Sequence, residues 1–136
     1  MDYKSKVDYL SGYKRKSAEI SAALTEYERW LTIGARVTQV LDAAPGGGGG
    51  GNRVEKAAIE LSGIRGSLEK EIEECIRLRE EIRRTINAKA KKPRYAELLR
   101  WRYVAGLSNS KIAWNIRKDE KTVSRAMVRA IKTLDI

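Results

Sequence analysis

Six consecutive glycines, Gly46 to Gly51, follow Pro45 and precede Asn52. Each glycine costs about 1 kcal/mol relative to alanine in a helix, so neither a helix nor a strand tolerates such a run well. We therefore predict a flexible loop over 45–52 that divides the chain. The run lacks a following Gly-Lys-Ser/Thr and a preceding strand, which favours a linker over a phosphate-binding loop.

The segments on both sides of the loop carry apolar residues at an alternating three-four spacing, which is typical of long amphipathic helices. The first stripe comprises Tyr3, Leu10, Tyr13, Ile20, Leu24, Tyr27, Leu31 and Leu41, with Lys6, Ser17, Gly34 and Thr38 at its other positions. The second comprises Val54, Ala58, Leu61, Leu68, Ile72, Cys75, Ile82 and Ile86. Because neither helix can bury its stripe alone, we predict an antiparallel, coiled-coil-like helical hairpin over 1–92 and expect homodimerisation to bury what remains.

Three shorter helices are predicted after Pro93, which suits the first turn of a helix and marks a domain boundary. The first ends near Gly106, which can adopt a left-handed conformation. Ser108 is a good N-cap for a second helix over 109–116, and Asp119 for a third that runs to about Leu134. The chain is thus predicted to be all-α, with a hairpin over 1–92 and a three-helix domain over 93–136.

The last two of these helices have the spacing of a helix-turn-helix. Ala113 is small where the helices would cross, and Val123, ten positions later, would anchor the second helix. Residues in its first turns are predicted to contact base edges in the major groove: Glu120, Lys121, Thr122, Ser124 and Arg125. Flanking cations are predicted to contact phosphates: Lys111, Arg117, Lys118, Arg129 and Lys132.

The net charge of +10 also indicates an anionic partner. The charge is +1 over 1–44, +3 over 45–92 and +6 over 93–136, so the excess lies in the segment with the helix-turn-helix spacing. This distribution favours double-stranded DNA over a membrane surface. No segment approaches the ~20 uncharged residues of a membrane span, and we expect a soluble protein in the cytoplasm of a bacterial host cell.

Composition argues against an enzyme. The chain has no histidine and one cysteine, Cys75, which lies on the apolar stripe and is interpreted as a small core residue. We find no catalytic constellation and expect no metal and no cofactor. Trp101 and Trp114 are interpreted as packing residues of the C-terminal helices rather than platforms for single-stranded bases.

The stretch from Gly106 to Leu134 resembles region 4 of bacterial sigma factors. The matching positions are Gly106, Ser108, Ile112, Ala113, Thr122, Val123, Arg129, Ala130 and Leu134, and the departures are Lys111, Arg117 and Asp119. The layout of the whole chain resembles small phage and prophage proteins of Gram-positive bacteria that are related to ArpU-type and RinA-type late-gene transcription activators. The resemblance implies binding to a phage regulatory site and action on transcription by host RNA polymerase.

Two other functions stay open at the level of sequence. A DNA-packaging component like a phage terminase small subunit also combines a helix-turn-helix with oligomerising helices, although the C-terminal placement of the motif disfavours it. A protein that binds RNA polymerase without contacting DNA is the other alternative. The main hypothesis is that the protein binds double-stranded DNA in a sequence-specific manner and regulates phage or prophage transcription, with activation favoured over repression.

Overall fold

A computed structural model describes residues 1–43 and 51–136, with side-chain burial for 1–36 and 54–136. The described residues contain helices and no strand, which confirms the all-α class. The helices are α1 (Tyr3–Leu10), α2 (Gly12–Ala43), α3 (Gly51–Lys89), α4 (Pro93–Tyr103), α5 (Asn109–Ile116) and α6 (Glu120–Thr133).

The N-terminal helix is interrupted, where the spacing predicted one long helix. Ser11 separates α1 from α2, and its N–H still donates to the carbonyls of Val7 and Tyr9. Of the predicted loop over 45–52, Gly51 and Asn52 belong to the first turn of α3, while 45–50 lie outside the described residues. The predicted stripe position at Leu41 also falls where no burial is described.

The predicted signals at the ends of the C-terminal helices are mostly confirmed. Pro93 begins α4, and Gly106 has a φ of 77° just beyond its end. The Ser108 hydroxyl accepts a hydrogen bond of 3.1 Å from the N–H of Lys111, as an N-cap should. The prediction that the Asp119 side chain caps α6 is wrong, because Asp119 occupies the N-cap position without a side-chain cap hydrogen bond.

The described chain forms two compact units. The first contains Met1–Ser17 and Cys75–Ile136, and the second contains Ala18–Glu74. The first unit therefore includes α1, the start of α2 and the C-terminal part of α3 besides the residues of the predicted 93–136 domain. The segment with the predicted helix-turn-helix spacing shares a unit with residues from both sides of the glycine run.

One hydrophobic core joins these segments of the first unit. Leu10 from α1 and both Ile82 and Ile86 from α3 are fully buried with Leu99 of α4 and Ile112 of α5. The remaining buried members include Val123, Met127, Ala130, Ile131 and Leu134. Burial of this kind supplies most of the stability of short helices, since each is marginal in isolation.

Within the first unit, α1 and the start of α2 run antiparallel to the end of α3. The Tyr9 and Thr85 hydroxyls are 3.0 Å apart, and Gly12, further along the chain, lies near Leu78, which precedes Thr85. α1 also contacts the end of α6 through Lys6, whose ammonium donates to the carbonyls of Lys132 and Leu134 at 3.0 and 2.7 Å. Lys6, which occupies a position of the first predicted apolar stripe, is therefore buried, and its ammonium caps the C-terminal end of α6.

The apolar stripes are only partly buried. Cys75 is buried, as predicted, but Ala57 rather than the predicted Ala58 is buried in the second unit. Several stripe residues are instead exposed by 40% or more: Tyr3, Leu24, Leu31 and Ile72. None of the helices in the described parts of the chain is long and apolar enough to cross a membrane.

Candidate nucleic-acid interface

The α5 and α6 helices pack against each other around small and branched side chains. Ala113 is 4% exposed and Val123 is 2% exposed, and both belong to the core of the first unit with Ile112. A larger side chain at 113 would have to displace that core, because protein interiors have few voids. The small residue before the turn and the apolar residue after it are thus both buried in one core.

The turn between α5 and α6 is closed by backbone hydrogen bonds. The N–H of Lys118 donates to the carbonyl of Ala113 at 3.0 Å, and the N–H of Arg117 donates to that of Trp114 at 3.3 Å. This pair of bonds is the Schellman motif, which needs a left-handed residue after the helix. Arg117 provides it with φ 54° and ψ 46°, although glycine is the residue that most easily adopts this conformation.

Arg117→Val is expected to lower the free energy of unfolding by about 1–2 kcal/mol, because a β-branched residue is strained at positive φ. Arg117→Gly should cause no comparable loss. Lys118→Val is the matched control, since it removes a neighbouring exposed cation where φ is not positive. Urea unfolding of the three variants measures the difference, and an equal loss for Arg117→Val and Lys118→Val would contradict the strain at 117.

The two faces of α6 differ sharply. Val123, Ala126 and Ala130 are buried against the rest of the first unit. The opposite face carries a basic stripe of exposed residues at i, i+4, i+8 and i+11: Lys121, Arg125, Arg129 and Lys132. Because the buried side of α6 is fixed in the core, these four cations are directed outward together.

The predicted base-contacting residues all lie in the first two turns of α6. Glu120, Lys121, Thr122 and Arg125 are exposed, whereas Ser124 is half-buried. The Ser124 hydroxyl accepts a hydrogen bond of 3.3 Å from the Asn109 amide at the start of α5, so that α5 orients it. The structure thus brings the five together on one end of the helix, and their contact with bases stays a prediction.

A shallow hollow of about 410 Å³ runs along the middle of α6. It is lined by Ser124, Arg125, Val128 and Arg129. Val128 is 37% exposed and was not among the predicted site residues. Its position follows from helical geometry, because it lies three residues after Arg125 and seven after Lys121 on the outward side, and an apolar side chain there can contact the methyl group of thymine.

The predicted phosphate-contacting residues do not form one cluster. Arg117 and Lys118 lie in the turn, and Lys111 lies in the first turn of α5. Lys132 lies twelve residues after Glu120, which places it about 18 Å along α6 from the first turn. All five, including Arg129, are exposed. The structure therefore distributes them on both sides of the predicted base-contacting residues.

The interpretation of Trp114 as a packing residue is wrong. Its side chain is 79% exposed, whereas Trp101 is half-buried against the core. Ile112, Ala113 and Ile116 make up the inward side of α5, and Trp114 lies off that stripe. This periodicity was the signal in the sequence, and the general preference of tryptophan for burial obscured it.

The described residues contain no group of three or more His, Cys, Asp or Glu side chains that could bind a metal ion. No family model matches the chain, and no curated protein or solved structure matches it either. The most specific feature of the surface is the basic stripe on α6, next to the tight turn that joins α5 and α6.

Proposed function

We propose that this chain binds double-stranded DNA in a sequence-specific manner, with α6 in the major groove, and regulates transcription by host RNA polymerase. The observation that supports this most directly is the basic stripe on the outward face of α6. An α-helix has the diameter that the major groove admits, and the second helix of a helix-turn-helix is the one that enters it.

The side chains at the start of α6 suit base recognition. Arg125 and Lys121 can donate to the acceptors of guanine, and Glu120 can accept from the amino group of cytosine. Arg117 and Lys118 precede the helix, and Arg129 and Lys132 follow along it, so cations would meet phosphates on both sides of the groove. The +6 charge over 93–136 supplies the long-range attraction to DNA.

The role proposed for the N-terminal segments is to support and pair this domain. The antiparallel contact of Tyr9 and Gly12 with the end of α3 supports the predicted hairpin. Leu24 and Leu31, seven residues apart and each more than 40% exposed, offer an apolar surface to a second copy. A dimer would bind two half-sites, which compensates for the small surface of one helix-turn-helix.

The test begins with selection of duplexes that the full chain retains from a random library. Lys121→Ala/Arg125→Ala should then lower affinity for the selected duplex by about tenfold to hundredfold and reduce its preference over a scrambled duplex at the same salt. Lys4→Ala/Lys14→Ala is the matched control, since it removes the same charge from exposed positions on α1 and α2. Fluorescence anisotropy provides both affinities.

Three results would count against the proposal. Unaltered binding by Lys121→Ala/Arg125→Ala would place the recognition surface elsewhere. Equal affinity of the wild type for selected and scrambled duplexes would remove sequence specificity. A large closed oligomer in light scattering would favour a packaging component, whereas a regulator should be a monomer or dimer.

In vitro transcription from a template with the selected site should give more transcript if the protein is an activator.

A further inference from the structure

Trp114 leaves a large apolar ring in water beside the proposed interface. The ring is 79% exposed, the largest exposed fraction among the bulky apolar side chains of the described residues. The backbone of Trp114 is fixed, because α5 is anchored by the buried Ile112 and Ala113 on its other side. An indole in this setting is a rigid surface that a partner can cover at little entropic cost.

The surroundings of Trp114 are cationic. Trp114, Asn115, Arg117 and Lys118 line a shallow hollow of about 630 Å³, together with Ala113. Lys111 lies three residues earlier on α5, and a spacing of three places two side chains on the same side of a helix. No carboxylate lines the hollow. Its occupant should therefore combine negative charge with an apolar surface.

The backbone of duplex DNA combines these properties, because phosphates alternate with deoxyribose rings. Arg117 and Lys118 belong to the turn that leads directly into α6, so insertion of α6 into the major groove brings the hollow to the edge of that groove. Lys111 precedes Trp114 by about one turn of α5, and Arg117 follows it in the turn, so the indole lies between two cations along the chain. An acidic peptide shares the chemistry but not this connection to α6.

We propose that Trp114 packs its indole ring on a deoxyribose of duplex DNA, between phosphates bound by Lys111 on one side and by Arg117 and Lys118 on the other. This inference rests on the proposed function and adds a contact that recognises the DNA backbone rather than its sequence. The ring thereby fixes the depth and register of the turn on the backbone, and with it the entry of α6 into the groove.

An apolar contact with the DNA backbone should contribute to affinity without contributing to its salt dependence. Trp114→Ala should lower affinity for the selected and the scrambled duplex by the same factor, about fivefold to tenfold, and leave the salt dependence unchanged. Lys118→Ala should instead reduce the slope of log affinity against log salt by about 0.9, because one phosphate contact is lost. Trp114→Phe should retain most of the affinity. Ile76→Ala, which truncates another exposed apolar residue, is the control.

Acrylamide quenching provides a readout that does not depend on affinity. The selected duplex should protect wild-type fluorescence from acrylamide, and this protection should be much smaller in Trp114→Phe, which retains Trp30 and Trp101. Unchanged duplex affinity in Trp114→Ala would overturn the inference, and so would protection by polyglutamate but not by duplex.

The two proposals fail in different ways. If Trp114→Ala binds normally while Lys121→Ala/Arg125→Ala does not, the DNA-binding function stands and the contact of Trp114 with DNA is wrong. If the wild type binds no duplex, the proposed function itself is wrong.

Discussion

Ile82→Ala is expected to lower the free energy of unfolding of the first compact unit by about 2–5 kcal/mol, although Ile82 lies eleven residues before the predicted domain boundary at Pro93. Its side chain on α3 is fully buried in the same core as Leu99 and Ile131. Truncation removes apolar contacts and leaves a cavity that the surrounding helices can fill only in part. The loss should therefore appear as lower stability of α4, α5 and α6, which share this core.

Ile76→Ala is the matched control, because it makes the same change on the same helix at a side chain that is 56% exposed. It should cost less than about 0.5 kcal/mol. Urea unfolding can be followed by tryptophan fluorescence in a Trp30→Phe background, where Trp101, half-buried against the core, reports on the first unit. Equal small losses for the two variants would mean that residues 93–136 fold without the end of α3.

The three C-terminal helices could be predicted closely because their ends depend on local chemistry. Pro93 begins α4 because its ring suits a first turn, Ser108 caps α5 with its own hydroxyl, and Gly106 adopts the positive φ that ends the preceding segment. Arg117 shows the limit of this reasoning. Its left-handed conformation is imposed by the two helices that it joins, because arginine has no such preference.

The partners of the long helices could not be predicted from spacing. A three-four pattern identifies which side of a helix is apolar, but it does not say what covers that side. The stripe predicted a hairpin partner for Leu10, Ile82 and Ile86, and these residues also pack with the core of the C-terminal helices. Such contacts join residues far apart in sequence, and no local signal specifies them.

Some features of the candidate site could be predicted from the sequence, and others could not. Exposure of Lys121, Thr122 and Arg125 followed from the amphipathic pattern of α6 and is confirmed. The exposure of Trp114 contradicts the predicted packing role, because Trp114 lies off the inward side of α5 that Ile112, Ala113 and Ile116 form. The convergence of Trp114 with Arg117 and Lys118 on one hollow depends on the geometry of the turn, which the sequence alone did not determine.

Lys6→Met is expected to lower the free energy of unfolding by about 1–3 kcal/mol, because it removes a charged donor from two carbonyls at the end of α6. Methionine keeps the length and apolar stem of the side chain, so the loss reports mainly on the ammonium group. The last carbonyls of a helix have no partner within the helix, and a cation there also complements the helix dipole. Lys6 provides both stabilising effects from α1.

The control is Lys4→Met, which removes a charge from an exposed position on the same helix and should cost less than about 0.5 kcal/mol. Urea unfolding of both variants gives the comparison, and similar values would mean that water replaces Lys6 at the end of α6.

DNA affinity provides a second measurement on the same two variants. Lys6 lies outside the basic stripe, so at temperatures where Lys6→Met is folded its affinity should match that of Lys4→Met. A selective loss of affinity in Lys6→Met would instead show that the position of α6, and not only its stability, depends on the α1 contact.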